Sequence, residues 1–503
     1  MAVLGRKLCA MRGVFCIFAR SNEMDYMYLN LKTDKKHRIG MNKGFLLRAG
    51  FLLVSAWFAV GTAVMAQESA PGATLKVTLD DALSIALSDN PTIKVAEQQI
   101  EVKKISKDEA WQSLLPSVDF NGTIQYTLLA AVMKLDMGAM GGGVREMKMG
   151  QDNTSTWNGQ FQVSLPLFAP TVYATINLTK SDLENAVEQS RSSKLDLVNQ
   201  VTKAYYQVIL AQDSYDVLCK SYEQAEKNFN VVNSLYELGG TSEYDKISAE
   251  VQLRSLNPTV IQARNAVTLA KLQLMVLMGI DPETEIEIEG SLEDYEELLY
   301  VEALGSSNYS LENNTNMRQL KLNETMLNQT LKVQKQNFLP TLALSGSYAF
   351  QSLYNKDWNV GQYDWAKSSS IVLSLSVPIF RMGNFTKLRS TKLQISQLNE
   401  NIAYTEKQLN IQARSYVDNM KANAEQVASN HEAIEQAEKG REIASKRYEI
   451  GKGTILELNN SEVQLTQAKL TYSQSIYNYL VAKADLDKVL GDESKIPAPS
   501  EKQ

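Results

Sequence analysis

Residues 235–253 read LYELGGTSEYDKISAEVQL, and residues 447–465 read RYEIGKGTILELNNSEVQL. The two stretches align without a gap: Tyr236 on Tyr448, Glu237 on Glu449, Gly239 on Gly451, and the EVQL from Glu250 on the EVQL from Glu462, every pair 212 positions apart (448 − 236 = 212). The SLPLF ending at Phe168 and the SVPIF ending at Phe380 keep the same offset (380 − 168 = 212). The spacing between these landmarks is therefore identical in both copies (239 − 168 = 71; 451 − 380 = 71). Loops drift in length and rigid elements do not, so the pattern predicts a duplicated structural unit rather than a short solenoid repeat.

Glycines mark where the elements turn back. Leu238-Gly239-Gly240-Thr241-Ser242 and Ile450-Gly451-Lys452-Gly453-Thr454 each read as a helix C-cap glycine followed by a Ser/Thr N-cap. Upstream of the first turn, Leu195, Val198, Val201, Ala204, Tyr205, Val208 and Ile209 recur at three- and four-residue spacing. No proline lies between Pro170 and Pro258 or between Pro378 and Pro497. A helix of about 70 residues is a rod of about 100 Å. An apolar stripe on such a rod needs partner helices, so coiled-coil packing follows. The return helices are expected to end at Met278-Gly279 and Leu490-Gly491, with Pro258 interrupting and kinking the first.

Ahead of each rod lie segments that alternate with period two. In 116–127, Val118, Phe120, Gly122, Ile124 and Tyr126 oppose Ser117, Asp119, Asn121, Thr123 and Gln125. In 155–168, Trp157, Phe161, Val163, Leu165 and Leu167 oppose Asn158, Gln160, Gln162 and Ser164. The segments 340–351 and 369–380 repeat the pattern, with Leu342, Leu344, Tyr348 and Phe350, and Ile371, Leu373, Leu375, Val377 and Ile379, on the greasy side. Each has about the length of a tilted strand that crosses a bilayer. Each half then reads helix, strand, strand, long helix, turn, helix: a first repeat over 67–280 and a second over 308–491. Between them an acidic linker over 281–307, with the alternation EIEIE, is expected to form a small mixed layer outside the rods. Residues 492–503 read as a flexible tail.

The chain carries a net charge of −6. Residues 1–66 hold ten Lys/Arg and three Asp/Glu, so the remainder carries −13 (−6 − 7 = −13). That balance excludes the basic footprint of a nucleic-acid binder. Residues 41–66 read as a secretory signal peptide: Lys43 and Arg48, the apolar FLLVSAWFAVGTAV, then a small-residue cleavage site before Gln67. Residues 1–40 then read as a start-site artefact. Beyond the signal, Cys219 is the sole cysteine and His431 the sole histidine. No disulfide framework, metal cluster, cofactor site or catalytic constellation is expected, and the chain is not read as an enzyme.

Four strands cannot close a barrel. Open edges in a bilayer leave backbone groups unpaired, and known spanning barrels need at least about eight strands. Either the strands lie outside a membrane or several chains share one barrel; three chains would supply twelve strands. On these features the chain resembles the TolC-like outer membrane efflux family over Leu79 to Gly491, most specifically in the tract from Arg447 and in Leu-Pro at strand entry, Leu115-Pro116 and Leu339-Pro340.

The resemblance implies a mainly α protein with a membrane β-barrel: a homotrimeric duct, twelve-stranded in the lipid of the outer membrane and continued by an α-helical barrel across the periplasm. It implies docking of a periplasmic adaptor protein and, through it, an inner-membrane pump. It also implies a gate at the periplasmic tip. Tyr448 matches the family's tyrosine before the second turn, Glu457 the first carboxylate of an acidic ring, and Asp245 the acidic partner in the first copy. Asn460 falls where a second ring carboxylate is expected. The basic link after the turn falls on Gly453, which cannot supply it, with Lys452 adjacent. Three Glu457 carboxylates brought together would repel one another and attract cations. The turns, with Gly239, Gly240, Thr241, Gly451, Lys452 and Gly453, are the candidate docking surface.

One departure is local to this chain. From Leu-Pro to the next strand's proline the first copy has 50 residues and the second 38 (166 − 116 = 50; 378 − 340 = 38). The extra stretch contains Met133, Met137, Met140, Met147 and Met149. Thioethers bind Cu(I), but inter-strand loops tolerate insertions, and a flexible loop at the barrel mouth is the expectation adopted. Two other functions remain open: the outer membrane component of type I protein secretion, and a periplasmic coiled-coil scaffold without a pore, which leaves the amphipathic strands unexplained.

Overall fold

Eleven-residue strands alternating in polarity need a partner on each side, and in this chain they find it only in part. The computed structural model describes residues 75–136, 144–296, 299 and 310–494. The leader and signal segment, Met137 and Met140, most of the linker beyond Glu296 and the end of the tail lie outside the described residues. The described elements, in chain order, are β1 (Leu75–Val77), α1 (Leu79–Asp89), α2 (Pro91–Gln112), β2 (Ser117–Thr127), β3 (Ala131–Asp136), β4 (Val144–Met149), β5 (Thr154–Phe168), α3 (Pro170–Glu237), α4 (Glu243–Met278), β6 (Ile286–Ile288), α5 (Thr315–Gln336), β7 (Thr341–Asn355), β8 (Ala366–Ser376), α6 (Met382–Glu449) and α7 (Ile455–Leu490).

The main sheet is antiparallel with the order β2-β5-β7-β8. Its register sets Phe120 opposite Phe161 and Phe161 opposite Tyr348, so the greasy residues share one face. The Phe120 and Phe161 rings lie 4.8 Å apart. The Phe350 ring covers Gly159, where a Cβ would come within 2.3 Å of it. Val118, Ile371, Leu373 and Leu375 on this face are exposed in the chain. The other face is polar, with the Ser347 and Ser370 hydroxyls 2.9 Å apart. At the end of the sheet far from the helices, Trp157 meets Trp358 and Tyr363, each at 5.9 Å. Within the chain β2 and β8 each pair on one side only.

The helices come in matched lengths. α3 and α6 have 68 residues each, α4 and α7 36 each, and α2 and α5 22 each. α3 pairs with α4 and α6 with α7, while α2, α5 and α7 also pack on α3. Among the described residues no helix is long and apolar enough to cross a membrane. The main core lies midway along the rods. Val201, Val208 and Ile209 of α3 share one buried cluster with Ile476 and Tyr479 of α7 and Ala413 and Val427 of α6. Each fully buried large side chain here contributes about 1.5–3 kcal/mol.

A small layer wraps this level. β6 pairs in parallel with β1, and Ile286 and Ile288 turn inward while Glu287 stays exposed, as the EIEIE alternation requires. Tyr472 donates to Glu296 at 2.5 Å, and Tyr479 donates to the carbonyl of Leu299 at 3.0 Å. Two asparagines tie helix starts to helix ends at the same level. Asn90 caps α2 through the Thr92 N–H (2.8 Å) and donates to the Leu277 carbonyl in the last turn of α4 (2.8 Å). Asn314 caps α5 through the Met317 N–H (3.0 Å) and donates to the Val489 carbonyl in the last turn of α7 (2.7 Å).

The structure departs from the sequence expectations in two places. α4 runs unbroken through Pro258: the ring removes one helical hydrogen bond, and the flanking turns, packed on α3, hold the helix together. The methionine-rich insert is not simply a flexible loop. Its flanks form a two-stranded antiparallel sheet, β3 with β4, in which the cross-strand partners Lys134 and Glu146 form an ion pair at 3.0 Å.

Candidate functional site

The turns between α3 and α4 and between α6 and α7 are built alike. The N–H of Gly240 bonds the Leu235 carbonyl (2.8 Å) and that of Gly239 the Tyr236 carbonyl (2.9 Å); Lys452 and Gly451 repeat this onto Arg447 (2.8 Å) and Tyr448 (3.0 Å). This double bond closes each helix only if the pivot residue is left-handed. Gly239 (φ 76°) and Gly451 (φ 69°) supply that conformation. Ser242 then caps α4 through the Asp245 N–H (3.1 Å), and Thr454 caps α7 through the Glu457 N–H (3.2 Å). The caps thereby place Asp245 and Glu457 in the first turns of α4 and α7.

The two turns meet through a small apolar cluster. Val232 and Ala249 of the first hairpin bury against Ile455 and Leu458 of the second, with Phe229, Ala444 and Tyr448 packed on the rim. Tyr448 is half-buried. Its hydroxyl lies enclosed beside Thr241 without completing a well-formed hydrogen bond. Thr241 in turn donates to the Asp245 carboxylate at 2.7 Å. Burial pushes the Tyr448 phenol above its ordinary range, Thr241 opposes the rise, and the nearby Asp245 charge adds to it. Tyr448, Thr241 and Asp245 therefore form one chain of polar contact between the hairpins.

Glu457 and Asn460 stand apart from that chain, both exposed. The Glu457 carboxylate faces the Arg447 guanidinium of the same chain at 3.6 Å. A second Arg447 nitrogen donates to the Lys452 carbonyl at 3.2 Å. The cation at this turn is thus Arg447, ahead of the glycine, rather than a residue after it. Gly453 makes room for it: a Cβ there would come within 3.1 Å of both the Arg447 Cβ and the Tyr448 nitrogen. Sequence reasoning missed Arg447; the signal that could have found it is its alignment with Leu235 across the 212-residue offset, a charge where the other stretch has an apolar residue. At the first turn a different cation acts: Lys246 sits 4.8 Å from the centre of the Tyr236 ring.

The apex itself is open. Nothing lies within 4 Å of the position a side chain would take at Gly239 or Gly451. Leu238 and Ile450, equivalent across the offset, are 84% and 66% exposed. A pair of exposed apolar residues flanked by bare glycine backbone is suited to a protein contact. Among the described residues no group of three or more His, Cys, Asp or Glu is placed to hold a metal ion.

Comparison with known proteins agrees with this architecture. The profile of the family described as "Outer membrane efflux protein" matches residues 82–280 and 307–492. Outer membrane protein TolC of Escherichia coli K12 is 23% identical over 362 residues, covering 67% of this chain and 70% of TolC. Outer membrane protein TolC of Vibrio cholerae serotype O1 is 18% identical over 337 residues, covering 66% of this chain and 76% of its own length. In fold, the chain is similar to the crystal structure of the Campylobacter jejuni CmeC outer membrane channel, with a TM-score of 0.62 at 17% identity over 85% of this chain and 90% of that one.

Proposed function

The chain belongs to the outer membrane efflux protein family, and from that premise we propose that three copies form one passive exit duct, gated at its periplasmic tip and coupled there to an adaptor protein and an inner-membrane pump. The observation that carries the reading is a four-stranded sheet with an exposed apolar face and two edges left unpaired within the chain, continuous with 68-residue helices. Unpaired edges are untenable in lipid. Pairing β8 of one copy with β2 of the next removes every edge and gives a closed barrel of twelve strands. The greasy face then meets outer membrane lipid, the serine-rich face lines the lumen, and the helical rods continue the tube into the periplasm.

In this reading the two halves, 67–280 and 308–491, are copies of one unit whose hairpins reach the same depth, so six turns per trimer share a closing plane. Tyr448, with Thr241 and Asp245, holds the second hairpin against the first in the closed state. Glu457 and Asn460 face the narrowed lumen, with Arg447 balancing Glu457. Gly239, Gly240, Thr241, Gly451, Lys452 and Gly453 offer the adaptor a surface of bare backbone rimmed by Leu238 and Ile450. The duct performs no chemistry on its cargo; energy for transport comes from the pump.

The test is complementation of an efflux-deficient strain with Gly239→Arg and Gly451→Arg. Both positions open onto free space, so a charge placed there projects from the apex. The expected result is a trimer still present in the outer membrane with efflux lost. Normal efflux in both variants would contradict the docking role of the turns.

A further inference from the structure

Met133, Met147 and Met149 of the insert take no part in the core or in the tip. Two of them face each other: Met133 of β3 is the cross-strand partner of Met147 of β4, and Met149, two residues on, pairs with Ala131. Residues directly opposite in an antiparallel pair, and those two apart along a strand, lie on one face. Met133, Met147 and Met149 therefore share a face, and all three are exposed, at 47%, 59% and 59%. The opposite face carries Val132 together with charged residues: Lys134 pairs with Glu146 at 3.0 Å, and Lys148 with Asp152 at 2.9 Å. Asp152 also accepts from the Ala130 N–H at 2.7 Å, which fixes the base of the hairpin.

We propose that this face is a binding site for a soft monovalent cation of the Cu(I) class, held by the thioethers of Met133, Met147 and Met149. Directly opposed residues have Cβ atoms about 4.5–5.5 Å apart. Three rotatable bonds let each sulfur move toward a common point. Thioethers select Cu(I) among biological metals and leave Mg(II) and Ca(II) to oxygen ligands. A merely greasy strand face would be served by Val, Ile or Phe, which the main sheet uses; the hairpin uses methionine at three of the four positions in these two cross-strand pairs. The hairpin extends from the β2 and β5 ends that lie away from the helices, so the site sits at the distal mouth of the sheet rather than at the tip.

The test is titration of the purified full-length protein in detergent with Ag(I), a redox-inert probe, and with Cu(I) under reducing conditions, using Zn(II) as the contrast. Binding is read by equilibrium dialysis and by the 13C-methyl resonances of labelled methionine. The expected result is one Ag(I) or Cu(I) per chain, shifts of the Met133, Met147 and Met149 methyls, and no equivalent Zn(II) binding. The triple variant Met133→Leu, Met147→Leu, Met149→Leu should lose the site, while the double variant Met137→Leu, Met140→Leu should retain it. Undiminished Ag(I) binding by the triple variant, loss in the double variant, or methyl shifts confined to other methionines would overturn the proposal. If the triple variant is not recovered as folded protein, the methyl shifts of the unmodified chain decide the matter.

Discussion

The Arg447 guanidinium lies 3.6 Å from the Glu457 carboxylate of the same chain, across the turn between α6 and α7. Both side chains are about half exposed, so the pair adds at most about 1 kcal/mol to stability. Its consequence is for charge. In the proposed trimer, a ring of three Glu457 carboxylates, each with its own arginine, would be close to neutral overall. Arg447→Ala should leave the melting temperature nearly unchanged and make the channel more cation-selective and more readily blocked by divalent cations. Glu457→Gln in the same background should reverse both changes. Reversal potentials in a salt gradient check this; identical selectivity in the parent and Arg447→Ala would contradict it.

Tyr448 carries a pH signature. Its phenol titrates above the ordinary value of 10.0 because burial disfavours the ionised form. A group with a raised folded pKa contributes stability that is fully present below its unfolded pKa and is lost as pH rises through the folded value. The hairpin contact at Tyr448 should therefore hold from neutral pH up to about 10 and fail above it. Channel opening should rise in that alkaline range, and Tyr448→Phe, which cannot ionise, should remove the rise. Conductance measured from pH 8 to pH 11 in both proteins is the check.

Asn90 and Asn314 each serve two helix ends at once. Replacing either with Ala removes an N-cap, costing about 1 kcal/mol, and strands a carbonyl in a region of low solvent access, costing about 1–3 kcal/mol. Asn314→Ala is expected to cost more, because both of its hydrogen bonds are buried whereas those of Asn90 are part-buried. Denaturant unfolding in detergent should show a total loss of about 2–4 kcal/mol for Asn314→Ala.

Gly491 and Gly239 separate two effects of a side chain. Both are left-handed, at φ 70° and 76°. A Cβ at Gly491 would lie 2.1 Å from the Asn313 carbonyl oxygen, whereas one at Gly239 meets nothing. Gly239→Ala should cost only the backbone strain, about 1–2 kcal/mol. Gly491→Ala adds overpacking of about 1–3 kcal/mol. The same unfolding measurement ranks them.

Much of this was legible in the chain because its elements obey simple periodicities. Gly279 and Gly491 cap α4 and α7 where the glycine pattern put them. Ser242 and Thr454 cap the return helices as the turn chemistry required. What was not legible depends on contacts far apart in sequence. Arg447 reads as one more cation in a polar helix until the turn folds it back toward Glu457. Thr241 looks like a turn residue until Tyr448, more than 200 positions away (448 − 241 = 207), closes over it. Pro258 breaks a helix in isolation, and only packing against α3 shows why α4 continues. The β3–β4 hairpin was hidden by the glycines and methionines of its connecting stretch, which read as loop.

The most direct test of the gated duct is single-channel recording from the purified protein in planar bilayers. A gated trimeric duct should show a small, stable conductance that rises severalfold when the hairpin contact is cut by Tyr448→Ala together with Asp245→Asn. A protein that conducts no current, either as the parent chain or with both substitutions, would contradict the duct and leave a scaffold without a pore as the better description.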